Sequence, residues 1–160
     1  LERLKQYIQG GYQEDEEQQI RESDNLEGVR ILVADDNELN LEIMFEIFNS
    51  SGAAVDCAHN GKEALEAYLK SSQGYYQIIL MDVHMPEMNG LEATKEIRNS
   101  GRPDACSVPI IAMTADVFKE DIRRCQDAGM NAHMGKPVEL DKLYSTVRKL
   151  LNKEALGEKQ

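Results

Sequence analysis

From Val29 onward the chain alternates between two spacings of apolar residues. Short apolar runs, "VRILVA" (29–34), "AAVDCA" (53–58), "QIILM" (77–81), "VPIIAM" (108–113) and "NAHMG" (131–135), have the length of buried strands. Between them the apolar residues take helical spacing. Leu41, Met44, Phe45 and Phe48 fall at i, i+3, i+4 and i+7, and Leu140, Leu143, Tyr144, Val147, Leu150 and Leu151 continue one stripe in the last stretch. Asn37 and Asn60 stand where N-terminal caps belong. The second helix offers Leu65, Tyr68 and Leu69, and the third, with Leu91 and Ile97, shows a thinner apolar face. Five strands alternating with five helices predict right-handed crossovers and parallel strands covered on both sides. The expected fold is therefore α/β, an open doubly wound five-stranded parallel sheet.

The stretch before this pattern differs in kind. Residues 1–27 carry eight acids and three bases, a net of −5, and "GGYQEDEEQQ" has the composition of a linker. Leu1, Leu4 and Ile8 repeat the i, i+3, i+7 spacing of the last helix, so the segment also reads as the end of a preceding domain. The expected division is an acidic linker over 1–27, one domain over 28–151 and a tail over 152–160. A first residue that is Leu rather than Met fits a piece of something longer.

Charge and cysteine use then exclude several functions. A net charge of −11 and a pI near 4.7 work against direct binding to nucleic acid, which needs clustered Lys and Arg. "NKEALGEKQ" is too short to supply a helix-turn-helix module. Cys57, Cys106 and Cys125 are widely spaced, with no CxxC pair, as expected of reduced thiols in a cytoplasmic setting. No apolar run approaches the roughly 18 residues of a membrane span, so this segment should make no membrane contact; an anchor elsewhere in a longer parent chain is compatible with that.

Ligands of open α/β sheets bind beyond the carboxyl ends of the strands. This sequence puts Asp35 and Asp36 after the first strand, Asp82 after the third, Thr114 after the fourth and Lys136 after the fifth. Taken singly, each has an ordinary explanation: a helix cap, a turn residue, a solvated lysine. Together they place three mutually repelling carboxylates on one rim, where a hard divalent cation with oxygen ligands is the natural counter-charge, and Mg²⁺ fits best. Mg²⁺ leaves coordination positions to phosphate oxygens, so a spare carboxylate beside it can act as a nucleophile toward a phosphoryl group. Asp82 is the candidate for that role, with Lys136 and the metal neutralising the transferred group.

At these residues the chain resembles a known family. "ILVADDNELN", "IILMDVHMPEMNGLEATKEIR", "VPIIAMTA" and "MGKP" are similar, in order and separation, to the four signature segments of response regulator receiver domains, especially those of hybrid sensor histidine kinases. The resemblance spans residues 29–151. It implies a flavodoxin-like sheet of strand order 2-1-3-4-5, with Asp82 as phosphoacceptor. It implies that Asp35 and Asp36 hold Mg²⁺ with the backbone carbonyl of His84, and that Thr114 and Lys136 contact the phosphoryl group. A cis peptide is implied before Pro137. The switch residues it implies are Thr114 and the position three before the lysine, where many receivers carry Tyr or Phe and this chain carries His133.

The implied function is to accept a phosphoryl group from a phosphohistidine and to change a protein-interaction face. Such a domain catalyses its own phosphorylation without being a turnover enzyme. The expected partners are a histidine kinase core or a histidine phosphotransfer domain, and the expected state is a monomer or weak dimer. Two other classes fit poorly. In an FMN binder, "DDNELN" after the first strand would repel the flavin phosphate. A haloacid-dehalogenase-type phosphatase needs a second Asp two residues after the nucleophile, where His84 stands. A receiver that only docks would not need the full set of acids and lysine.

Overall fold

Five strands and five helices alternate along the described residues, 25–115 and 119–155 of a computed structural model. The strands are β1 (Arg30–Ala34), β2 (Ala54–Ala58), β3 (Ile78–Asp82), β4 (Ile110–Thr114) and β5 (Ala132–Gly135). The helices are α1 (Glu38–Ser50), α2 (Gly61–Lys70), α3 (Gly90–Arg98), α4 (Lys119–Ala128) and α5 (Leu140–Ala155). All strand pairs are parallel, in the order β2-β1-β3-β4-β5. None of the described helices is long and apolar enough to cross a membrane.

Alternation along the central strands builds two cores. Ile31, Val33, Ile78, Leu80, Ile111 and Met113 pack on one face with residues of α1 and α5. Leu32, Ala34, Ile79, Met81, Ile110 and Ala112 pack on the other with residues of α2 and α3. Because both faces are covered, the strands read as unbroken apolar runs. Asn37, Asn60 and Asn89 cap α1, α2 and α3, each accepting a backbone N–H three residues on, and Asn89 completes a capping box with Glu92.

The helical stripes differ from expectation at two places. Phe45 is 39% exposed and Leu69 is 45% exposed. In α1 the buried face is Leu41, Met44, Ile47 and Phe48, and in α2 it is Gly61, Ala64 and Tyr68. Periodicity gives the angular width of a stripe and not its centre, so the residues on one border were exchanged for those on the other.

The thin face of α3 has a structural cause. A Cβ on Gly90 would lie 2.2 Å from the carbonyl oxygen of Asp82, so α3 begins in direct contact with the end of β3. Gly61 is equally constrained, with Met88 O 2.3 Å from its virtual Cβ. Small residues at both helix starts let these loops close over the rim.

At the chain ends, Leu26 lies inside the expected linker yet is 2% exposed, packs in the core of α1 and α5 and donates its N–H to Ser51 O at 2.8 Å. Helix α5 continues into the expected tail as far as Ala155. Leu1, Leu4 and Ile8, and residues 156–160, lie outside the described residues.

Candidate functional site

The candidate site lies where β1, β3, β4 and β5 end. Asp35 follows β1, held by its N–H on Ala58 O at 3.1 Å, and its side chain is buried. Asp36 is exposed beside it. Asp82 closes β3 and Thr114 closes β4, both buried. Lys136 extends the β4–β5 ladder by one step, its N–H donating to Thr114 O at 3.0 Å, and a cis peptide joins it to Pro137.

The structure brings the three acids together: one carboxylate oxygen from each of Asp35, Asp36 and Asp82 lies within 4.8 Å of the others. Lys136 Nζ sits 3.0 Å from Asp35 Oδ2 and 3.1 Å from Asp82 Oδ2. Asp35 is fully engaged. Its Oδ1 accepts Asn37 N–H at 2.9 Å, and its Oδ2 accepts Asn40 Nδ2 at 3.3 Å besides the ammonium. Among the described residues, Asp82 Oδ1 has only the N–H of His84 at 3.4 Å. The His84 side chain is exposed.

Charge is unbalanced here. Burial, then the neighbouring Asp35 carboxylate, push Asp82 above the usual carboxylate range, and the Lys136 contact only partly offsets them. Burial pulls the Lys136 ammonium down, but its contacts with Asp35 and Asp82 outweigh that and raise it. Three carboxylates against one ammonium leave a net of two negative charges. An all-oxygen donor set with that deficit suits a hard divalent cation, so these residues fit Mg²⁺.

His133 sits elsewhere. It is exposed on β5, paired in register with Ala112, and lines a groove of 410 Å³ with Ile122 and Cys125 of α4 and Thr146 and Lys149 of α5. The residue sequence reasoning passed over is Asn40, which touches Asp35 from the first turn of α1. Its only signal was position: a residue three after a cap sits on the turn that faces back toward the strand end.

Comparison with known proteins bears on this arrangement. The sequence profile of the response regulator receiver domain matches residues 31–148. Hybrid signal transduction histidine kinase L of Dictyostelium discoideum is 36% identical over 136 residues, covering 83% of this chain and 8% of that protein. Probable histidine kinase 4 of Oryza sativa subsp. japonica is 37% identical over 142 residues, covering 78% of this chain and 14% of that protein. The chain thus spans a small fraction of these relatives. Among solved structures, the receiver domain of sensor histidine kinase PA1611 from Pseudomonas aeruginosa PAO1, with a magnesium ion coordinated in its active-site cleft, superposes with a TM-score of 0.70 at 31% identity. It covers 78% of this chain and 98% of that one. The Vibrio cholerae chemotaxis protein CheY4 shares the fold, with a TM-score of 0.70 at 24% identity over 76% of this chain and 98% of that one.

Proposed function

The chain belongs to the response regulator receiver domain family of two-component signalling, and from that premise we propose that Asp82 is its phosphoacceptor, with Mg²⁺ held by Asp35, Asp36, Asp82 and the backbone carbonyl of His84. The observation that carries this reading is the position of Asp82. It ends the central strand β3, faces Lys136 Nζ at 3.1 Å and shares the three-carboxylate cluster.

The hydrogen bonds distinguish the acids. Both oxygens of Asp35 are held by short contacts, while Asp82 Oδ1 has one contact, at 3.4 Å. Asp82 is therefore the buried carboxylate with an oxygen available for a new bond. In the transfer, an Asp82 oxygen bonds to phosphorus as the phosphorus–nitrogen bond of a phosphohistidine breaks, its electron pair returning to the imidazole. Held by Asp35, Asp36 and Asp82, Mg²⁺ would supply positive charge against the transferred oxygens. Lys136 turns from the carboxylates to the phosphoryl oxygens, and the Thr114 hydroxyl donates to one of them.

The product carries about −1.5 to −2 added charges and three acceptor oxygens, enough to draw Thr114 toward the site. The face formed by α4, β5 and α5, where His133 lies, would report that movement. The donor would be a histidine kinase core or a histidine phosphotransfer domain, a reading supported by the similarity to parts of histidine kinases. Three free cysteines support a reducing, cytoplasmic setting. An acidic chain of −11 supports partners that are proteins rather than nucleic acids, acting on a monomer or weak dimer.

Incubation with acetyl phosphate or a phosphohistidine donor, with Mg²⁺ or EDTA, tests the reading by mass spectrometry. Wild type should gain one phosphoryl group only with Mg²⁺, and Asp82→Asn should gain none. Equal labelling of both proteins would end the proposal.

A further inference from the structure

Asn40 has a side chain that helix capping does not use. Its backbone N–H is already accepted by the cap, Asn37 Oδ1, at 3.1 Å. The side chain turns back across the first turn of α1, and Nδ2 lies 3.3 Å from Asp35 Oδ2, the oxygen that Lys136 Nζ holds at 3.0 Å. The amide nitrogen is the atom that belongs there, because the amide oxygen would face a carboxylate. One buried oxygen thus has two donors, a charged one on a long side chain and a neutral one anchored on a helix.

We propose that Asn40 is a positioning residue for the acidic site, holding Asp35 Oδ2 in place once Lys136 lets go of it. The inference rests on the phosphoacceptor reading of Asp82. Two circumstances draw the ammonium off: a divalent cation among the carboxylates repels it, and phosphoryl oxygens on Asp82 are stronger acceptors than Asp35. Asp35 Oδ2 is then left with Asn40 as its side-chain donor. Among the described residues that line the adjoining cavity, no other polar side chain stands ready to substitute. The 320 Å³ cavity beside this oxygen is lined, apart from Asp35, Asn40 and Lys136, by Ile43, Met44, Ile47, Met113, Pro137 and Val138. A buried carboxylate oxygen without a donor would turn toward water and away from the geometry the metal needs. Asn40 acts through Asp35 and does not touch the reacting atoms.

Titration with Mg²⁺ by calorimetry, melting in EDTA and acetyl phosphate labelling, applied to wild type, Asn40→Ala and Asn49→Ala, test this. Outer partners of metal-ligating carboxylates commonly change affinity by about 10–100-fold, and a neutral half-buried donor belongs at the low end, about tenfold. Asn40→Ala should therefore bind Mg²⁺ about tenfold more weakly and label more slowly. It should melt in EDTA no lower than wild type, since Lys136 still holds Asp35 there and Ala is the better helix former. Asn49→Ala, the same exchange on the exposed side of α1, should bind Mg²⁺ as wild type does. Wild-type Mg²⁺ affinity in Asn40→Ala overturns the proposal, and so does a fall in affinity matched by a fall in EDTA melting, which marks a structural role alone. Wild type that binds Mg²⁺ but takes no phosphoryl group would instead defeat the reading of Asp82.

Discussion

Where the strands finish, Asp35 and Asp82 share one ammonium and Asp36 has none among the described residues, whereas where the strands begin a single guanidinium is matched to many acceptors. Arg98, at the end of α3, donates five hydrogen bonds: two to Gly129 O at 3.0 and 2.7 Å, and one each to Ala105 O, Val108 O and Asn131 Oδ1 at 2.8–2.9 Å. Beside it Asp104 accepts Tyr68 OH at 2.7 Å and Gly74 N–H at 2.8 Å, and Arg102 caps the end of α2 through Tyr68 O and Ser71 O. Burial pushes Asp104 up, but the Tyr68 hydroxyl, Gly74 N–H and Arg102 outweigh it and hold the carboxyl below its usual range. Asp82 is held above that range. One end of the sheet uses charge to fasten loops; the other keeps an excess of negative charge, which under the proposed function would draw the cation that a phosphoryl group then needs.

The largest expected effect separates function from stability at the rim. Asp36→Ala removes an exposed carboxylate, a proposed Mg²⁺ ligand, from a cluster of like charges, so Mg²⁺-dependent labelling should fall beyond the roughly 10–100-fold that an outer partner is worth. Melting in EDTA should hold steady or rise, because one repelling carboxylate is gone. Undiminished labelling would show that the deficit does not depend on Asp36.

The opposite end should behave in reverse. Arg98→Ala leaves three backbone carbonyls, Gly129 O, Ala105 O and Val108 O, without their donor, while Asn131 Oδ1 keeps the Ile110 N–H at 2.8 Å; the loss costs about 3–5 kcal/mol and lowers the melting temperature by roughly 10 °C or more. Labelling of the protein still folded at low temperature should match wild type. Intact melting, or a loss of labelling in folded protein, would erase the distinction between the two ends.

The same contrast explains what could be read in advance. The sheet was legible because β1, β3 and β4 are buried on both faces and so appear as unbroken apolar runs, and the acids were legible because Asp35 and Asp82 interrupt those runs at their carboxyl ends. Arg98 was not legible. At the end of a helix it looks like any solvated base, and its acceptors lie up to 33 residues away in two loops that carry no periodicity. Asn40 was hidden for a related reason, since a residue following a cap reads as helix until the carboxylate it faces is known. Phe45 and Leu69 satisfied the spacing but not the rotation, which packing decides.

The smallest expected effect lies at the margin of the rim, where His59 bridges α1 and α2. Its Nε2 is 3.2 Å from Glu38 Oε2 and its Nδ1 is 3.1 Å from Glu63 Oε1. A neutral ring has one N–H, so both contacts are satisfied only by imidazolium, and the hydrogen bonds of Glu63, then Glu38, raise His59 above its ordinary value. A raised folded value means that the stabilisation is fully present below the ordinary histidine pKa and is lost as pH rises through the higher folded one. The ring is about half exposed, so the solvent-screened pair is worth about 0.5 kcal/mol at most, or roughly 1–2 °C. Wild type should therefore melt slightly above His59→Gln at about pH 5.5, and the two should converge near about pH 9 or in about 1 M salt. An equal difference at both pH values would mean that His59 holds the helices by packing, and that charge at this end of the sheet does its work only inside the acidic cluster.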